Sequence, residues 1–160
     1  MMEIGDREIA GFLDGDGCIG IYRTHKRRSA SWHYVLHLVF AQSREDHAEI
    51  LKDIQIRYGG CLIKVKDNPD HPFWHPRYAL RMTGWGALKL ILAVKSHLRV
   101  RAPQAEIAEK FMNYRLINTG SARKGMSFRT MRLAPEHLEF YEDCRQEMRH
   151  YNRRGIEGWL

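Results

Sequence analysis

The order of apolar patterns predicts an α+β fold in which a helix, two strands, a second helix, two more strands and further helices build an αββαββα core with one four-stranded antiparallel sheet packed on helices. Three observations carry this. Apolar residues recur at helical spacing in Ile9, Phe12 and Leu13, and again in Ile50, Leu51, Ile54 and Tyr58. Residues 18–24 with 31–42, and 61–66 with 77–82, are paired segments rich in β-branched and aromatic residues, each pair bracketing a polar or proline-bearing stretch, as hairpins do. No segment repeats, so the first helix occurs once. The chain of 160 residues is the length of one ordinary domain, 1–160, with a core over about 6–115 and a linker and C-terminal helix over 116–160.

Taken in order, Asp6 is a candidate cap for the first helix, with Glu8 in the turn where the helix dipole favours an anion, and the run Asp14-Gly15-Asp16-Gly17 ends it. The first hairpin carries Lys26, Arg27 and Arg28 at its tip. Ser43 and Asp46 form a capping pattern for the second helix, which Gly59-Gly60 stops. A loop with Pro69, Pro72 and Pro76 joins the next two strands. Thr83 is placed to cap a helix reaching about Lys95 through Leu88, Ile91 and Leu92, and Pro103 stands where a helix favours its first residue, ahead of Ile107, Ala108 and Phe111. Asn118 to Gly125 reads as a basic linker, and Pro135 opens a last helix on Leu138, Tyr141, Cys144, Met148 and Tyr151. That last stretch is open between two roles, a cap stabilising the subunit or further phosphate contacts.

The net charge is +7, and its distribution says more than its total. No carboxylate lies between Asp16 and Glu45, where Arg23, Lys26, Arg27, Arg28 and Arg44 fall. None lies between Asp70 and Glu106, where Arg77, Arg81, Lys89, Lys95, Arg99 and Arg101 fall. Two long segments cleared of acids suit a surface that faces phosphates. No stretch approaches the ~20 apolar residues of a spanning helix and the N-terminus has no signal-peptide pattern, so the chain is expected to be soluble, intracellular and unsecreted, without a membrane partner. The 3 cysteines, Cys18, Cys61 and Cys144, have no zinc spacing and no even count, and are expected as buried thiols.

The chemistry is concentrated in Ile9-Ala10-Gly11-Phe12-Leu13-Asp14-Gly15-Asp16-Gly17-Cys18-Ile19. A calcium loop of the EF-hand kind also favours Asp-x-Asp-Gly, but with Asp14 first its fifth position is Cys18 and its twelfth, where a bidentate Glu is needed, is His25. Gly11 and Gly15 lie four apart on one helical face, and Ala10 extends a small surface against which a second backbone could approach closely. Two such helices side by side would bring two C-terminal aspartates together across a two-fold axis, beside carbonyls freed at the helix ends, an oxygen site for a hard divalent cation.

This segment resembles the LAGLIDADG signature of homing endonucleases in both its apolar helix and its Asp-Gly-Asp-Gly end. The resemblance implies a homodimer whose four-stranded sheets saddle the major groove and which cleaves both strands of a long pseudo-palindromic double-stranded DNA site by metal-dependent hydrolysis. It implies Asp16 as the catalytic acid that binds metal, with the Gly15 carbonyl beside it, and Ala10, Gly11, Asp14 and Gly15 at the dimer interface. Magnesium is the implied cofactor, with manganese an alternative and calcium supporting binding without cleavage. Phe40-Ala41-Gln42 resembles the point where members carry a water-orienting glutamine, which makes Gln42 the candidate, with Ser43 or Arg44 open to a shift of one or two residues. Leu98-Arg99-Val100-Arg101-Ala102-Pro103-Gln104-Ala105 resembles a basic pattern whose second basic residue, here Arg101, reaches the active site; arginine suits charge stabilisation rather than proton donation.

Candidates for the DNA face are Arg23, His25, His33 and His37 in the first hairpin and Lys64, Lys66, Arg77 and Arg81 in the second, with Lys26, Arg27 and Arg28 gripping backbone at the tip. Strand alternation sends about half of them to the far face. Tyr22, Trp32, Tyr34 and Tyr78 are divided between core and contact. Two rival readings share this architecture: a maturase acting on its own intron RNA, and a DNA-binding protein without catalysis, against which an intact Asp16 argues.

Overall fold

The computed structural model describes residues 4–24, 32–43, 48–65, 70, 77–119 and 134–157. Helix α1 (Asp6–Asp16) leads into the hairpin β1 (Gly17–Thr24) and β2 (His33–Ser43), then α2 (Ala48–Tyr58), β3 (Cys61–Val65) and β4 (Arg77–Thr83), followed by α3 (Gly84–Val94), a 3-10 turn (Lys95–His97), α4 (Ala102–Thr119) and α5 (Pro135–Glu157). The four strands form one antiparallel sheet in the order β1-β2-β4-β3. The α+β architecture is the one the patterning predicts.

Local chemistry accounts for most boundaries. The cap of α1 is Gly5 rather than Asp6: the Gly5 N–H donates to Glu8 Oε2 at 2.9 Å. Asp6 sits inside the first turn, where its carboxylate accepts the Tyr58 hydroxyl at 2.7 Å and pairs with Arg57 at 2.9 Å, tying α1 to α2. Gly59 and Gly60 stop α2 with φ of +81° and +107°, values a side chain would strain. Thr83 stands at the N-cap of α3 without a side-chain capping bond, and α4 begins at Ala102 with Pro103 second. Helix α4 continues through Asn118 and Thr119, where the polar composition suggested a linker. Ser43 closes β2, while Asp46 and the proline loop positions 69, 72 and 76 lie outside the described residues.

Strand alternation divides the sheet cleanly. Ile19 and Ile21 of β1, Tyr34, Leu36, Leu38 and Phe40 of β2, and Leu80 and Met82 of β4 are buried on one face against the helices. There they join Ile9, Ala10 and Leu13 of α1, Leu51 and Ile54 of α2, and Ala87, Leu88, Leu90, Ile91 and Val94 of α3 in a single cluster. Each large side chain in it contributes roughly 1.5–3 kcal/mol through removal from water. Leu92, expected in the α3 stripe, is exposed: it falls just past the arc that holds Leu88 and Ile91.

Helix α5 packs on the core. Tyr141, Cys144 and Met148 are in the core. The Tyr34 hydroxyl donates to Glu142 Oε2 at 2.8 Å, and Asn152 Nδ2 donates to the Ile19 carbonyl at 3.0 Å, so α5 caps the helix side of the β1–β2 hairpin. Burial pushes the Glu142 carboxyl up, but hydrogen bonds from Tyr34, Gln146 and Arg145 outweigh it and hold it below the ordinary glutamate value.

Candidate active site

Two carboxylates, Asp14 and Asp16, occupy the last turn of α1, and no basic residue accompanies them there. Acids at a helix C-terminus oppose the helix dipole, so each needs outside partners. Asp14 has three: its Oδ2 accepts the Arg99 N–H at 2.8 Å, and its Oδ1 accepts those of Val100 at 3.1 Å and Arg101 at 2.8 Å. Asp16 is exposed and, among the described residues, accepts one side-chain hydrogen bond, from Gln42 Nε2 at 3.0 Å.

Sheet register explains why Gln42 arrives there. Gly17, the first residue of β1, lies opposite Phe40. Two residues further, Gln42 runs past the start of β1 on the helix-facing side and meets the end of α1. Ser43 is on the opposite face, paired with Arg77, so of the two described candidates Gln42 is the one brought to Asp16; Arg44 lies outside the described residues.

The loop held by Asp14 carries Arg101, which also caps α4: its carbonyl accepts the Ala105 N–H at 3.0 Å. The Arg101 Nε is buried without a hydrogen-bond partner among the described residues. Gln104, from the same stretch, is structural. It is buried between α4 and α5, with Nε2 donating to Asn152 at 3.5 Å.

The motif helix has two unlike sides. Gly11 and Gly15 are exposed, and a Cβ placed on either would meet nothing within 4 Å. Ala10, expected on that surface with them, is instead fully buried in the chain's own core, at the edge of the arc that holds Ile9 and Leu13. The contacts of Asp14 are with its own chain's loop. Gly15 precedes the last helical donor, since the Gly17 N–H bonds the Leu13 carbonyl and no later one continues the ladder; the Gly15 carbonyl has no intrahelical donor.

The face of the sheet turned away from the helices carries His33 and His37 on β2 and Arg77 and Arg81 on β4, as expected. Two expected members are on the other side. Arg23 pairs in register with buried Tyr34, reaches Glu142 at 3.6 Å and stacks on Trp32 at 4.3 Å. Lys64 pairs with Tyr78 on the helix-facing side of β3. The phase of alternation, anchored on Ile19 and Ile21 in β1, carries the signal that separates Arg23 from the free face. His25, Lys26, Arg27, Arg28 and Lys66 lie outside the described residues, as do His71 and His75. The same phase puts Tyr22 on the free face, 49% exposed and packed edge-on to His37 with ring centroids 4.7 Å apart. Burial and the neighbouring Arg81 push the His37 imidazole below its ordinary value, which keeps it neutral, with one donor and one acceptor, at physiological pH. Cys18 and Cys61, expected to be buried, are exposed on this face, in one cross-strand row with Val39 and Arg81; Cys144 alone is buried.

Among the described residues no three His, Cys, Asp or Glu side chains converge on a common point. Asp16 is therefore a single exposed acid whose further oxygen ligands, if it binds a cation, must come from outside this set.

Residues 9–84 match the family model described as LAGLIDADG endonuclease. Among solved structures, the homing endonuclease I-CvuI in complex with its target in the presence of 2 mM Ca is similar with a TM-score of 0.60 and 20% identity, over 87% of this chain and 93% of that one. The homing endonuclease I-TnaI is similar with a TM-score of 0.58 and 17% identity, over 94% and 99%. The LAGLIDADG homing endonuclease I-GzeII in complex with its DNA target gives 0.59 and 17%, over 89% of this chain and 44% of that one. At these identities the likeness is one of fold. No curated protein sequence matches the chain.

Proposed function

We propose, from the match of residues 9–84 to the LAGLIDADG endonuclease model and from the shared fold, that this chain is a member of that family and a site-specific homing endonuclease, a homodimer that hydrolyses phosphodiester bonds in both strands of a pseudo-palindromic double-stranded DNA site with the help of a divalent metal. The observation that carries this reading is the Asp16–Gln42 contact at 3.0 Å on an exposed helix end, beside a sheet whose free face presents Arg77, Arg81, His33 and His37.

The donor set suits a hard cation. The Asp16 carboxylate is exposed, the Gly15 carbonyl has no helical donor, and both are oxygens. Two copies of α1 meeting at Gly11 and Gly15 would supply the second Asp16, and these residues would hold the cation beside the DNA phosphates; this is the physical case for a homodimer, because one chain holds one such acid. Magnesium, when bound, stabilises charge at the phosphoryl group and makes the attacking water more acidic. Gln42, donating through Nε2 to Asp16, keeps Oε1 to accept a water O–H and turn that water's lone pair toward phosphorus. Arg101 supplies fixed positive charge near the developing negative charge. The Arg77 and Arg81 guanidiniums suit guanine edges in the major groove, and neutral His37 suits a base edge or a bridging water.

The test is a library of plasmids with randomised double-stranded sites, incubated with the chain and MgCl2, with the cut ends sequenced. A recurrent pseudo-palindromic site is expected. On that site Asp16→Asn should bind as tightly as the parent in a gel shift, or more tightly, because the carboxylate repels phosphates in the absence of metal. Its cleavage rate should fall by several orders of magnitude, on the order of a lost metal-based electrostatic contribution. Calcium in place of magnesium should give the same bound, uncut complex. Cleavage by Asp16→Asn near the parental rate would move the active site elsewhere.

A further inference from the structure

The three hydrogen bonds that Asp14 accepts run to consecutive backbone N–H groups, and the third belongs to Arg101. We propose that Asp14 is a positioning residue: it straps the Arg99–Arg101 loop to the end of α1 and so sets where Arg101 stands relative to Asp16. The inference rests on the endonuclease reading above for what Arg101 does, but the strap itself is a matter of geometry.

A surface aspartate with one partner would be ordinary. Here both carboxylate oxygens are engaged, two donors on Oδ1 and one on Oδ2. Charge-assisted bonds of this kind are about twice as strong as neutral ones, and consecutive N–H groups converging on one anion form a concave nest. The nest lies at the start of α4, whose dipole adds attraction for the carboxylate. That attraction offsets the unfavourable location of Asp14 at the C-terminal end of α1. Asp14 and Asp16 are two residues apart in the same turn, so fixing the loop to one fixes its distance from the other. The unpartnered, buried Nε of Arg101 fits the same account: none of the described hydrogen bonds holds the guanidinium at Nε, so its placement depends on where the loop carries its Cα. The two acids of the motif thus divide the work, Asp16 toward the reacting phosphate and Asp14 toward the residue that stabilises its charge.

The experiment has two arms. In the first, backbone amide exchange is followed in the parent, Asp14→Ala and Asp14→Asn without DNA. The amides of residues 99–101 should lose protection in Asp14→Ala and lose less in Asp14→Asn, which keeps an acceptor for Val100 and Arg101; unchanged exchange in both variants overturns the strap whatever the chain's activity. In the second, single-turnover cleavage of pre-bound DNA is measured for Asp14→Ala, Arg101→Ala and the double variant, with binding measured separately in calcium. Arg101→Ala should slow cleavage by about 10²- to 10³-fold, as loss of one preorganised charge-stabilising group does. Asp14→Ala should slow it comparably while binding stays within about twofold, and the double variant should be no slower than the slower single one. Multiplying losses in the double variant, or a parental rate in Asp14→Ala, overturn the proposal. Should Asp14→Ala not fold, Asp14→Asn carries the same comparison with a smaller loss. A parent that cuts no site refutes the endonuclease reading and leaves the exchange arm to judge the strap alone.

Discussion

Asp14 and Asp16 have the same side chain in the same helical turn, and their neighbours make them different: three backbone donors hold the first, and one glutamine leaves the second open to solvent. The cysteines divide in the same way. Burial pushes the Cys144 thiol up to about 11, while Cys18 and Cys61 are exposed on the free face of the sheet. Only thiolates attack disulfide reagents, so at pH 8 the folded chain should release two equivalents from an aromatic disulfide reagent quickly and the third only in denaturant. Three fast thiols would mean that α5, which carries Cys144, does not stay docked on the core. At this scale, Asp16 stood out in the sequence as the last acid of a motif, whereas Gln42 was one of three neighbouring candidates left open, and its contact with Asp16 came from the structure. That Arg23 and Lys64 fall on the helix-facing side was not read in the sequence, because a positive charge is compatible with either face of a strand and only the phase of buried neighbours decides.

Helix α1 is an element with two jobs on opposite sides. Ile9, Ala10 and Leu13 bury one side in the chain's own core, and Gly11 and Gly15 leave the other bare. Glycine at 17 answers a different need. A Cβ there would lie 2.8 Å from the Leu13 carbonyl oxygen and 2.3 Å from Leu13 Cδ1, so Gly17→Ala must shift the junction of α1 and β1 and should cost roughly 1–3 kcal/mol in chemical denaturation. Gly15→Ala meets open space, and at low protein concentration it should leave the unfolding free energy unchanged or raise it by up to about 1 kcal/mol through helix propensity. The same methyl should weaken dimerisation if the bare side is where a second copy of α1 packs. A variant at 15 that dimerises as tightly as the parent would assign the bare face to something else. The sheet hairpins and helices were readable from periodicity, as were the glycine stop of α2 and the apolar stripe of α5. Asp6 and Ala10 were misplaced because a capping-type residue and a small residue each satisfy two environments, and the choice between them depends on Gly5, Glu8 and Tyr58, or on how wide an arc of α1 the core covers.

For the whole molecule the decisive quantity is how many copies of the Asp16 turn one active site needs. The chain carries one, and among its described residues no second acid joins it. Light scattering on the 18.8 kDa chain should therefore return about twice that mass at working concentrations, and cleavage at limiting protein should fall off as the dimer dissociates. Cutting that persists at concentrations where the chain is wholly monomeric would remove the two-fold argument. What the sequence determined by itself was whatever local periodicity and charge can encode: the order of helices and strands, the motif with its single Asp16, and the clearing of acids from the segments that build the sheet. What only the tertiary structure decided was which residues from distant segments meet. Gln42 reaches Asp16 because the β1–β2 register carries it past Gly17, and Arg101 stands near the same turn because Asp14 collects three N–H groups from a loop 85 to 87 residues away. Register and loop docking are set by the summed packing of a core drawn from the whole chain, so no window of sequence short enough to show a pattern contains the information that fixes them.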